Sequence, residues 1–252
     1  MSRRILALAA VGLPLAFAVG CGDESSGPTG PGTLVINFDH MVDGSMLQLN
    51  TGSYMNAAGN TYSVGNLEYV TSHFHLHPED HDDPEFESDE PHYRTEADAS
   101  TRSLTLTDVP AGSYHELSFV FGIPGADNVP GAYPGLDLDG MAWPNVPPMQ
   151  GGYHYMRCEG TWDAGSGGFL THTGPSMGMD FSFEVSFDTD VVISTGETTT
   201  VTLYMNVNNW YANPNLYDFM DHDGPIMGNT ATQLLLQQNG GDVFSIASVT
   251  TE

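Results

Sequence analysis

The residues of this chain richest in chemistry are histidines set two apart: His73-Phe74-His75-Leu76-His77. On an extended strand, side chains two apart leave the same face, with Cα atoms roughly 6.5–7 Å apart. Imidazoles in such a row can turn toward one metal ion while Phe74 and Leu76 face a core on the other side. His81 and His92 follow in an acidic stretch. A second cluster is Gly151-Gly152-Tyr153-His154-Tyr155-Met156-Arg157-Cys158. Alternation places His154, Met156 and Cys158 on one face, and imidazole, thioether and thiol together suit copper, above all Cu(I). For Met156 and Cys158 a packed apolar row is the better reading. His154 has little reason to stand in such a row, so it is the ligand candidate of the three. His172, in Thr171-His172-Thr173-Gly174, and His222, in Asp221-His222-Asp223-Gly224, complete the set.

Other chemistries leave no trace. There is no Gly-rich phosphate loop, no G-x-S-x-G elbow and no H-E-x-x-H, so an enzyme is not expected. The chain has 32 acidic residues against 5 basic ones, all Arg, for a formal charge of −27. That balance excludes nucleic-acid binding, which needs a cationic surface, and favours attraction of cations. Asp137-Leu138-Asp139-Gly140 and Asp221-His222-Asp223-Gly224 echo calcium loops without the full ligand spacing or a closing Glu. The residues alone leave three readings open. The leading one is a copper-binding protein using histidines. The second is a non-enzymatic adhesion or interaction module displaying acidic loops, with calcium as its metal. The third is a mononuclear copper oxidoreductase, which would need an open coordination position for substrate.

The elements that must position these residues read as short strands. Leu34, Ile36 and Phe38 share a face that His40 extends, and Val70, Ser72, Phe74 and Leu76 read as one face of the next strong segment. Leu104 and Leu106, Leu117 to Phe121, Phe181 to Phe187 and Val201 to Val207 alternate likewise, with Pro, Gly, Asn and Asp between them. The pattern predicts an all-β fold: an antiparallel β-sandwich with Greek-key connections, immunoglobulin- or cupredoxin-like. One short C-terminal helix is expected, capped by Asn229, running from Ala231 to Gln238 and ended by Gly240, with Leu234, Leu235 and Leu236 on the sandwich. Residues 78–100 read as an exposed acidic loop, and 124–150 as a second, Pro-stiffened excursion.

The N-terminus reads as an address. Arg3 and Arg4 precede an uncharged apolar run, Ile5 to Val19, too short for a comfortable membrane span. The run ends Ala18-Val19-Gly20-Cys21, which resembles the lipobox of bacterial lipoproteins. Residues 1–20 are thus expected to be a signal peptide. Residues 21–32 would be the lipid-bearing Cys21 and a flexible tether, and 33–252 a single domain. This predicts export and lipid anchoring to the cell envelope, at the periplasm or outer membrane. Cys158 is then the remaining thiol.

The order of motifs resembles one family. Leu47-Gln48-Leu49-Asn50, Tyr54-Met55-Asn56-Ala57-Ala58-Gly59 and Tyr62-Ser63-Val64 lead into the strand that ends at Leu76. Asp108-Val109-Pro110-Ala111-Gly112-Ser113-Tyr114, Phe121-Gly122-Ile123-Pro124 and Asn128-Val129-Pro130-Gly131 come next. Then come Gly140-Met141-Ala142-Trp143-Pro144, Gly152-Tyr153-His154, Glu159-Gly160 and His172. Together they resemble the MbnP-like family of periplasmic or lipid-anchored proteins. The resemblance implies an all-β copper-binding protein whose dihaem peroxidase-like partner oxidises a Trp to kynurenine, which joins His ligands at copper. Trp143 matches the Trp-bearing segment, and His154 and His172 match by motif position. The resemblance and the His spacing together nominate His73, His75, His154 and His172 as copper ligands, with His77 and His222 behind them. Trp143 and Met156 would support the site, Trp143 as a ligand once oxidised. The usual Trp-x-Trp reads Trp143-Pro144-Asn145 here, and the extra cysteines of one branch are absent.

Overall fold

Period-two alternation lets a strand bury one face, and two sheets that do so bury those faces against each other. The computed structural model describes residues 30–252; the segment expected to be a signal peptide, Cys21 and most of the expected tether lie outside the described residues. In chain order the strands are β1 (Pro31–Val42), β2 (Ser45–Met46), β3 (Tyr54–Met55), β4 (Thr61–Pro78), β5 (Phe86–Ser88), β6 (His92–Thr95) and β7 (Ser103–Pro110). They continue as β8 (Gly112–Phe121), β9 (Met156–Trp162), β10 (Gly167–Thr173), β11 (Phe183–Ile193), β12 (Thr198–Asn206) and β13 (Phe244–Thr251). The α-helices are α1 (Pro134–Leu138) and α2 (Thr230–Asn239). One sheet runs β13-β12-β1-β2, with β7 also on β1; the other runs β10-β9-β4-β8-β11, with β3, β5 and β6 also on β4. The sandwich expected from the sequence is therefore formed. Strand pairs are antiparallel except β1 with β12, which run parallel.

The core between the sheets holds Leu34, Ile36 and Phe38 of β1 and Val201, Leu203 and Met205 of β12 against Leu117, Phe119 and Phe121 of β8. Each such side chain contributes roughly 1.5–3 kcal/mol on burial. The central strand β4 departs from the expected single face. Leu67 and Tyr69 point into this core, and so do Phe74 and Leu76, an odd number of residues later. The parity changes because the pairing with β8 slips between Ser72 and His75, where His73 has φ 50°. This is a β-bulge, one extra residue that re-aims the rest of the strand. Val70 consequently faces the other way, into a smaller cluster with Ile123, Leu136, Met141 and Tyr153.

Two further expectations are corrected. Residues 78–100 are not all loop: β5 pairs with Phe74–Leu76 and β6 with Glu68–Thr71. Backbone hydrogen bonding to β4 makes these strands without an apolar row. The helix is where expected, with the Asn229 side chain accepting from the Thr232 N–H at 3.2 Å. Leu236 is buried and Leu235 partly so, but Leu234 is exposed. Three consecutive helical positions span about 200°, too wide for one packed face.

A buried polar group ties the sheets together at one end of β1. His40 Nδ1 lies 2.7 Å from a Glu96 carboxylate oxygen, and its Nε2 lies 2.9 Å from the Tyr69 hydroxyl. Arg102 reaches the same Glu96 oxygen at 3.1 Å. Burial holds His40 below its ordinary range despite the Glu96 carboxylate beside it. The neutral ring then donates from Nδ1 to Glu96 and accepts from Tyr69 at Nε2. Burial also pushes His92 down, to about 4. Because folding lowers these values, the unfolded chain binds more protons below pH 6.5, and stability falls as the pH drops from there toward the folded-state values. Thermal melts between pH 7.5 and 4.5 should show that decline, and a flatter curve is expected for His40→Gln. Tyr69→Phe, which removes the donor to Nε2, should cost about 1–3 kcal/mol in denaturant unfolding at pH 7.5.

Candidate metal centre

The excursion between β8 and β9 folds back as a short antiparallel pairing. The Trp143 N–H donates to the Gly152 carbonyl at 2.8 Å, the His154 N–H donates to the Met141 carbonyl at 2.7 Å, and Ala142 bridges Tyr153. Asn128 fixes the returning segment by accepting from the Tyr153 N–H at 2.7 Å. A Cβ on Gly152, whose φ is +92°, would collide with that Asn128 side chain. This register sets Trp143 beside His154, with ring centres 4.7 Å apart and planes at 76°.

β10 supplies the second imidazole. His172 stands opposite Arg157 of β9, while Thr171 and Thr173 on either side are buried. Its ring centre lies 5.2 Å from that of His154, at 81°. Two residues on, the indole of Trp143 fills the space a side chain would need at Gly174, where a Cβ would be 2.6 Å from Cε3. Gln233 of α2 clamps this strand end: its Nε2 donates to the His172 carbonyl at 2.9 Å, and its Oε1 accepts from the Gly174 N–H at 3.1 Å. Sequence reasoning missed Gln233, which carries no motif and lies far along the chain.

The hydrogen bonds fix how each ring presents itself. His154 Nδ1 faces the Met141 carbonyl at 3.1 Å, so it carries the proton and Nε2 keeps its lone pair. His172 Nε2 lies 2.8 Å from a Glu159 carboxylate oxygen, which leaves the lone pair on Nδ1. Burial pushes His154 down to about 3. It also holds His172 below its ordinary value, outweighing Glu159. Neutral imidazoles whose other nitrogen donates to a carbonyl or carboxylate are the form that binds metals. An ion about 2.0–2.1 Å from each nitrogen, at a tetrahedral angle, would separate the ring centres by roughly 5 Å. The spacing of the two rings is thus compatible with one ion held between them. Trp143 Nε1 is buried with no hydrogen-bond partner among the described residues. An indole N–H has no lone pair to give a metal, so Trp143 in its native form adds no ligand.

The other expected ligands are dispersed. His75 and His77 face each other with ring centres 3.8 Å apart, beside Glu85. His73 does not join them: in the bulge its Nδ1 lies 2.9 Å from Ser72 Oγ and its Nε2 3.3 Å from Asp127. His222 stacks on Tyr217, with centres 4.1 Å apart. Met156 does not share a face with His154, because Tyr155 and Met156 both point into the main core and break the alternation. Cys158 is buried there too, its thiol pushed up to about 12 by burial, with the Tyr211 hydroxyl donating to it at 3.5 Å.

No curated protein matches the chain. Among solved structures, MbnP from Methylosinus trichosporium is similar in fold, with a TM-score of 0.54 and 14% identity over 86% of this chain and 99% of that one. The family model described as MbnP matches residues 31–228, a span that holds Trp143, His154 and His172. By that match the chain belongs to the MbnP family.

Proposed function

We propose that this protein binds copper for uptake, buffering or delivery, and does so at His154 and His172 beside Trp143. The observation that carries the reading is the pair of neutral imidazoles 5.2 Å apart, each oriented by its own hydrogen bond. Family membership accords with a copper-associated role. The role is binding rather than catalysis. Glu159 and the Met141 carbonyl hold the two rings, Gln233 holds the strand end, and the acidic surface raises the local concentration of cations. Oxidation of Trp143 to kynurenine by a dihaem peroxidase-like partner would open the indole and give it an amine with a lone pair, a third donor. In this reading Cys21 carries the lipid that anchors the protein to the cell envelope.

Titration of the purified protein with Cu(I) and with Cu(II) tests the site. His154→Ala should weaken the tighter binding by more than the roughly 10–100-fold that loss of an outer partner causes. Affinity unchanged by that substitution would sink the assignment. Gly174→Ala should displace the indole, lower stability by about 1–3 kcal/mol through overpacking, and weaken copper binding. The Trp143-bearing peptide of protein isolated from its native host should be about 4 Da heavier than the same peptide of protein made without the partner if Trp143 becomes kynurenine. Identical masses would remove the third donor from the proposal and leave the two histidines.

A further inference from the structure

The bulge at His73 places a second set of ligating groups on β4, and this set shares no residue with the Trp143 cluster. Past the bulge, Phe74 and Leu76 enter the core, so His75 and His77 leave the opposite face together. Glu85, from the turn between β4 and β5, meets both. One carboxylate oxygen lies 3.2 Å from His75 Nε2, and the other lies 3.9 Å from His77 Nδ1. One ligand atom from each of the three residues falls within 4.8 Å of the others. His77 stands opposite Glu116 of β8, whose carboxylate lies 3.2 Å from Nε2. Glu87 of β5 lies 3.4 Å from His75 Nε2.

We propose that His75, His77 and Glu85 form a second metal site, which takes a divalent transition ion of the zinc or copper(II) kind. His75 would ligate through Nε2 and His77 through Nδ1, with Glu85 as the carboxylate ligand. Glu116 completes the arrangement: it accepts from Nε2–H of His77, the carboxylate–histidine pairing that orients a ligating ring. Two imidazoles and a carboxylate are borderline-to-hard donors. They suit Zn(II) and Cu(II), whereas Cu(I) prefers soft sulfur ligands and Ca(II) takes oxygen. Glu87 and Glu116 add negative charge around the ion. The side chains of His75, His77 and Glu85 are 22%, 31% and 54% exposed, so an ion can enter from solvent without the fold opening. Affinity should follow the usual order, tighter for Cu(II) than for Zn(II).

The site is independent of the copper reading, and the experiment separates the two. Full-length protein, stripped of metal, is titrated with Zn(II) while histidine ring signals are followed by NMR and bound zinc is measured by equilibrium dialysis. One zinc per chain should shift the His75 and His77 rings together. In Glu85→Gln this binding should weaken by at least about tenfold, and in His75→Ala/His77→Ala by more than about 100-fold. His154→Ala should leave it unchanged. The metal-free melting temperature of each variant controls for folding, and Glu85→Gln keeps the test valid if the double variant is unstable. Zinc bound with equal affinity by all of these variants, or ring shifts at His154 and His172 instead, would overturn the second site while leaving the copper proposal standing. No saturable zinc binding in the wild type would overturn the site and leave His75 and His77 as polar neighbours of the surrounding glutamates and nothing more.

Discussion

A strand in the middle of a sandwich must keep its apolar residues on one side, and β4 meets that demand only by carrying an extra residue at two places, Gly65 against β9 and His73 against β8. Leu67 and Tyr69 reach the core from one parity and Phe74 and Leu76 from the other, with His73 at φ 50° between them. Regular pairing throughout would turn one of these pairs out of the core, at a cost of a few kcal/mol for two large side chains. The bulge removes that conflict and has two further effects. It lets Val70 seed the small cluster under the excursion after β8, and it gives His75 and His77 an outward face of their own. Both histidine pairs therefore rest on the same irregularity: one directly, the other through the cluster that holds Tyr153 beside His154.

The Trp143 cluster is built by backbone pairing more than by side-chain packing. Register between the segments around Ala142 and Tyr153 sets the indole against one imidazole, and register between β9 and β10 brings the other. Each ring is then locked by an acceptor that belongs to the frame, a carbonyl for His154 and a carboxylate for His172. Such a site needs little rearrangement to receive an ion, since tautomer and ring orientation are fixed in advance.

How far the sequence revealed this depends on which physics was local. The alternation in β1, β8 and β12 is a direct record of burial, and the sandwich could be read from it. The bulge left no mark, because an apolar row with one extra residue still looks like an apolar row; Val70, Ser72, Phe74 and Leu76 were legible only as one face. β5 and β6 were invisible because they are held by main-chain hydrogen bonds that any residues can make. His154 stood out as a polar ring in an apolar run, but its pairing with His172 and Trp143 came from the order of family motifs. Spacing alone grouped His73 with His75 and His77, and positive φ at the bulge is what parts them.

Gln233 carries a consequence of another kind. Its amide holds the two ends of the turn just past His172, and it comes from a helix 61 residues downstream of that histidine. That helix also lies beyond the span, 31–228, over which the family model matches. Until α2 has been made and docked, the strand end bearing His172 lacks its clamp. A chain folded only as far as β10 thus holds both imidazoles before it can hold them still, and the geometry of the pair becomes final only when α2 docks.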